Sequence, residues 1–193
     1  MNVNISELPS AWTGHYDFAQ WLVKELQPTV TVDLGVDYGY SLFALAMPEI
    51  GKVYGVDSFE PVGYYTQHTN NYQVVMDFKE RHNFNQVEVI KGFFDQVAKT
   101  WTQRIQILHI DGDHTFKSVT EDWNNWYPFV DAGGIVLMHD VISFPEVGQY
   151  YNTIDIPKAY FPHSAGLGIA SADAALIDKI SKTFNNCILG NIA

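Results

Sequence analysis

A single cysteine, Cys187, in 193 residues excludes an internal disulfide and any CxxC metal or redox motif. Basic residues are scarce too: 11 Lys and Arg stand against 22 Asp and Glu, a formal net charge of −11. That field repels phosphate backbones and anionic lipid surfaces, which argues against a nucleic-acid substrate and against membrane docking. No apolar run reaches the roughly 18–20 residues of a membrane span. The opening "MNVNISELPS" has neither the basic nor the apolar region of a secretory signal. Together these absences give a cytoplasmic expectation. Repeats, low-complexity stretches and an evident linker are also missing, so residues 1–193 are expected to form one domain.

What is present is an ordinary globular composition, 47% hydrophobic and 17% charged, enough to fold around a core. Strand-like and helix-like stretches alternate along it. The spacing of Phe18, Trp21, Leu22 and Leu26 predicts an amphipathic helix over 15–26. "TVTVDLG" reads as a buried strand and "YSLFALAM" as the helix after its turn. Further strands are expected at 52–59, 86–94, 104–114 and 134–140, with helices at 73–83 and 118–130. "GLGIAS" and "DAALIDKISKTF" suggest a last strand and helix. Near-continuous apolar strands separated by helices predict a doubly wound α/β sandwich, a mostly parallel sheet covered on both faces. Ligands bind such sheets beyond the carboxyl ends of the strands. Three strands end there in acids, namely Asp33, Asp57, and Asp111 with Asp113, and a fourth ends in His139-Asp140. The aromatic and polar stretch 58–73 is either a lid over the ligand or a surface loop.

The turn "DLGVDYGYS" constrains the ligand. A dinucleotide fingerprint needs GxGxxG, and Asp37 occupies its second glycine position. An aspartate there would face a pyrophosphate with like charge, and no GK[ST] follows to make a P-loop. This counts against a nicotinamide-dependent oxidoreductase. The turn suits S-adenosylmethionine, whose sulfonium and ammonium groups tolerate an acidic rim. Asp57 lies 24 residues after Asp33, near the distance of roughly 20 at which an acid accepts from ribose hydroxyls.

"VDLGVDYGYS", "VYGVDSF", "IDGDHTF", "DAGGIVLMHD" and "AGLGIA" together resemble class I S-adenosylmethionine-dependent methyltransferases. The likeness is to the branch of catechol and macrocin-type sugar O-methyltransferases and cephalosporin-biosynthesis enzymes. The resemblance implies a Rossmann-like fold in which Gly35, Asp37, Tyr40 and Ser41 line the methionine end of the cofactor. It also implies that Asp57 holds the ribose and that Ser58 and Phe94 flank the adenine. Asp111 would border both the cofactor and a divalent metal, shared with His139 and Asp140. A histidine at 139 replaces the acid or amide common in relatives, which shifts the metal preference toward softer ions or removes the metal altogether. His114, three residues past Asp111, stands where relatives keep the proton acceptor, with Asp113 its nearest competitor. The implied partner is a small-molecule hydroxyl acceptor, a sugar or secondary metabolite. A homodimer and a catalytically silent adenosyl-binding module are left open.

Overall fold

The computed structural model describes residues 3–60 and 69–192. Eight strands form one sheet in the order β3-β2-β1-β4-β5-β7-β6-β8. They are β1 (Val30–Leu34), β2 (Lys52–Asp57), β3 (Val87–Lys91), β4 (Ile105–Ile110), β5 (Val130–His139), β6 (Lys158–Phe161), β7 (Leu167–Ala170) and β8 (Ile188–Leu189). The helices are α1 (Tyr16–Leu26), α2 (Tyr40–Ala46), α3 (Asn71–Arg81), α4 (Phe94–Ala98), α5 (Phe116–Trp126), α6 (Pro145–Thr153) and α7 (Ala174–Thr183).

Strands β1 to β5 run parallel, while β7 pairs antiparallel with both β5 and β6. Burial explains the parallel half. Every residue of β1 is buried, as are the last six of β5, so neither sheet face meets water. Alternation then sorts the side chains. Val30, Val32 and Leu34 of β1 pack with Leu108, Ile110, Trp101 and Trp126 under α4 and α5. The opposite face packs Ile107, Ile135 and Leu137 against α1, α2, α3 and α7. Beyond it, α6 closes on Met138 and Tyr160 through Val147, Tyr150 and Tyr151.

Several boundaries differ from the sequence expectation. The second, third and fourth strands stop at Asp57, Lys91 and Ile110, so the acids after Ile110 lie on a loop and Phe94 opens α4. The fifth strand, expected at 134–140, begins earlier and takes in "DAGG" as part of β5. Ile105 pairs with Val130 but Ile107 with Ile135, so residues between 130 and 135 bulge out of register rather than ending the strand. Strands β6 and β8 and helix α6 were not foreseen. The central part of the stretch proposed as a lid, 61–68, lies outside the described residues.

Candidate functional site

The parallel strand ends open into a cavity of about 970 Å³. Over β1 its floor is the turn 35–39. Gly35 has φ +92°, and a Cβ there would stand 1.8 Å from the carbonyl oxygen of Asp111. The backbones leaving β1 and β4 touch at this point, and only glycine permits it. Gly39, at the same φ, precedes α2. Between them Asp37 holds φ +46° and donates its N–H to Asp57 Oδ2 at 2.9 Å. The other carboxylate oxygen, Oδ1, accepts from Phe59 N–H at 2.7 Å. Asp57 thus fixes both the glycine turn and the exit from β2. Burial pushes its pKa up, opposed by these two N–H groups and assisted by the charge of Asp37. Tyr40 and Ser41 line the same wall, as do Ser58 and Phe94 toward β2 and β3.

A different chemistry gathers over β4 and β5. Asp111, His139 and Asp140 each bring a donor atom within 4.8 Å of the others. His139 Nε2 donates to the Ser164 carbonyl at 3.0 Å, an acceptor that can take only a proton donor. That bond fixes the ring and leaves Nδ1 as the nitrogen facing the acids. Nδ1 lies 3.2 Å from Asp111 Oδ2 and 3.5 Å from Asp140 Oδ2, yet it is aligned for a hydrogen bond with neither. Ligands about 2.1 Å from one ion and at right angles to each other stand about 3 Å apart. An inward-facing nitrogen set between two carboxylates, close to both but aligned with neither, therefore fits a divalent cation. Two oxygens and an imidazole suit Mn²⁺, Fe²⁺ or Zn²⁺ at least as well as Mg²⁺. Without a cation, burial opposes charge on His139, but the two carboxylates outweigh it and lift the pKa to about 10. Asp111 answers in kind: despite burial, His139 and His114 hold it well below the usual carboxylate range.

His114 reaches the same acids from the loop after β4. Its Nε2 is 2.9 Å from Asp140 Oδ2 and 3.8 Å from Asp111 Oδ1, and its ring stacks on Phe144 at 3.8 Å. Burial opposes the imidazolium, but Asp111 and Asp140 raise its pKa to about 9. The acids that assemble the centre thus also hold a proton on the ring that the resemblance makes the proton acceptor. Asp113 lines the same cavity but is exposed, and it accepts Thr115 N–H at 2.8 Å. Its role in the structure is to brace the loop before α5. Along the cavity wall, burial together with Glu121, Asp113 and Asp95 lifts the pKa of Asp122 to about 7.

Behind the cavity lies a buried chain of polar groups that sequence reasoning missed. Asp33 and His109 are adjacent across β1 and β4 and fully buried. His109 Nδ1 meets Asp33 Oδ1 at 2.5 Å, Ser41 Oγ donates to Asp33 Oδ2 at 2.9 Å, and Trp12 Nε1 donates to His109 Nε2 at 3.0 Å. Because Nε2 accepts from the indole, Nδ1 carries the proton given to Asp33. Asp33 therefore faces α2 rather than the ligand edge, and the Ser41 hydroxyl is committed to it. His15 is fully buried with its Nε2 3.2 Å from the Ser164 carbonyl. Burial first, then the neighbouring His139, drop its pKa to about 3.

Residues 32–141, more than half of the chain, match the family described as Methyltransferase domain. Protein y4gI of Sinorhizobium fredii is 30% identical over 174 residues, covering 83% of this chain and 19% of that protein. Tapetum-specific methyltransferase 1 of Arabidopsis thaliana is 29% identical over 139 residues, 71% of this chain and 57% of the plant protein. The chain thus spans less than two thirds of either relative. Among solved structures, the O-methyltransferase TomG of Streptomyces achromogenes, in complex with SAM, superposes with a TM-score of 0.68 at 13% identity, over 86% of this chain and 88% of that one. An O-methyltransferase from Bacillus cereus in complex with SAH gives 0.64 at 18%, over 85% and 83%. At such identities the structural likeness establishes the fold, and the sequence match establishes the kinship. The chain belongs to the methyltransferase-domain family and carries its class I, Rossmann-like fold.

Proposed function

We propose that the protein is an S-adenosylmethionine-dependent O-methyltransferase acting on a hydroxyl of a small molecule, a sugar or secondary metabolite, with help from a divalent cation. The observation that carries this reading is the sharing of one cavity by the Gly35 turn and the Asp111, His139 and Asp140 donor set. When bound, S-adenosylmethionine supplies the methyl group from its sulfonium. A cation held by Asp111, His139 and Asp140 would supply Lewis acidity at the acceptor oxygen.

The chain's own residues do the rest. Gly35 and Asp37 shape the methionine seat, and Asp57 presents its carboxylate to the ribose. The apolar faces of Phe94 and Tyr40 exclude water from the walls. Methyl transfer is an in-line displacement, so this positioning supplies much of the rate. His114 faces the acceptor side and takes the hydroxyl proton in its neutral form. A cation held by Asp111 and Asp140 would offset the negative charge with which these two carboxylates keep His114 protonated.

Calorimetry tests the reading directly. S-adenosylhomocysteine should bind, and Asp57→Asn should weaken it by roughly 1.5–3 kcal/mol, the range for a hydrogen bond to a charged group. Electron paramagnetic resonance of added Mn²⁺ should show a bound ion that Asp140→Asn releases. Binding of NADH in place of S-adenosylhomocysteine would refute the cofactor assignment. Full turnover in protein shown to be metal-free by elemental analysis would remove the cation.

A further inference from the structure

The cavity's charge says something about the acceptor that its shape does not. Among the described residues, ten Asp and Glu side chains line it against the imidazoliums of His114 and His139, and no Lys or Arg does. The stretch 61–68 contains no Lys or Arg either. Lys117, the nearest in sequence to the acceptor side, is exposed on α5 and pairs with Glu121 at 3.8 Å. The sulfonium cofactor and a divalent cation would offset only part of this negative wall.

A helix N-terminus is the other anion receptor a fold of this kind offers. Two such termini face the acceptor side: that of α6 begins with Pro145, which has no N–H, and carries Glu146 in its first turn, and at that of α5 three of the first donors are taken. Thr115 N–H goes to Asp113 Oδ1 at 2.8 Å, Phe116 N–H to Glu146 Oε2 at 2.7 Å, and Ser118 N–H to Thr115 Oγ1 at 3.2 Å. Glu146 comes from the first turn of α6, which follows β5, so it stands on the metal side of the cavity rather than the ribose side. Its carboxylate fills the place an acceptor phosphate would take. The cavity is otherwise built to hold a ligand: His139 is 4% exposed, lines it, and has an Nδ1 without a hydrogen-bond partner.

Resting on the methyltransferase reading, we infer that the acceptor carries no phosphate, sulfate or carboxylate, that an amine-bearing hydroxyl compound is preferred over its neutral analogue, and that Glu146 sets this preference. Like charges facing each other across a closed interface are strongly disfavoured, whereas a cleft of one sign raises the local concentration of the opposite charge by about 10–10³. Coenzyme A thioesters and sugar phosphates are the classes this excludes.

The test is a matched series of hydroxyl compounds: catechol, dopamine, 3,4-dihydroxybenzoate and caffeoyl-coenzyme A, with glucose, glucosamine and glucose 6-phosphate as a second set. Each is titrated calorimetrically into protein loaded with S-adenosylhomocysteine and Mn²⁺, and each is assayed for transfer of labelled methyl. In at least one set the amine-bearing member should bind most tightly and the anionic members about tenfold or more weaker than the neutral one. Added salt should weaken the amine and leave the neutral compound unchanged. Glu146→Gln should narrow the ratio of amine to anion affinity severalfold while the affinity for S-adenosylhomocysteine stays as it was. Anionic members binding or turning over as well as the neutral ones would overturn the inference. So would an unchanged ratio in Glu146→Gln, or no binding by any neutral or amine-bearing compound. Loss of S-adenosylhomocysteine binding in the unmodified protein would instead strike the methyltransferase reading itself.

Discussion

The buried chain Trp12–His109–Asp33–Ser41 offers a direct test of what holds the site's floor in place. Replacing His109 with leucine keeps an apolar side chain of similar bulk in the sheet, so packing changes little. What is lost is the donor 2.5 Å from Asp33 Oδ1, in a place where both side chains are wholly buried. Removing one member of a buried pair costs about 3–5 kcal/mol, because the other is left without compensation. Trp12 Nε1 loses its acceptor as well, which on its own is worth roughly 1–3 kcal/mol. With a urea slope of about 2 kcal/mol per molar, the unfolding midpoint of His109→Leu should fall by roughly 2–4 M. Trp12→Phe, which deletes only the indole donor, should cost less, on the order of 1–2 kcal/mol. Both changes act on one network, so the double variant should fall short of the sum by about 1 kcal/mol or more. A loss below about 1 kcal/mol in His109→Leu, or strict additivity, would show that the four groups do not work as a unit.

Two further outcomes are expected. Asp122 is raised in the folded protein to about 7 from 3.8, so the folded state holds a proton that the unfolded chain releases, and stability falls as pH rises across that window. Asp122→Asn should therefore unfold at a higher denaturant concentration than the parent at pH 8, by about 1–3 kcal/mol after allowing for partial solvent access, and match it near pH 4; an equal gain at both pH values would refute the burial argument. His114→Ala should lower kcat by ~10²–10⁴ with S-adenosylhomocysteine affinity retained, whereas Asp113→Asn should cost far less. Near-parental kcat in His114→Ala would pass the proton to another group.

Local pattern carried much of this structure. Strands β1 and β4 and the last six residues of β5 are buried on both faces, and double burial writes itself as an unbroken apolar run. Helix α6 was hidden because "PEVGQYYNT" mixes polar and aromatic residues around Gly148. That glycine answers to packing rather than to helix breaking: a Cβ there would meet the Val141 carbonyl at 2.5 Å. Strand β6 is four residues, "KAYF", too short to show a period. The acids at 57, 111 and 140 could be picked out because each follows an apolar run. The state of His114 could not, since it depends on Asp140 across a neighbouring strand. Nor could the use of His109, whose partners lie 97 and 76 residues away along the chain.

The reversal at Ser164, Ala165 and Gly166, three successive residues with positive φ, lies beyond the stretch shared with the family, which ends at 141. Its carbonyl at 164 nonetheless decides which nitrogen of His139 looks into the cavity. A chain cut after residue 141 would keep Asp111, His139 and Asp140 in sequence. It would lose the latch that keeps the imidazole from rotating, and with it the difference between three nearby residues and a coordination site. Shortening this protein, or grafting its strand ends onto another sheet, has to carry that distant peptide along.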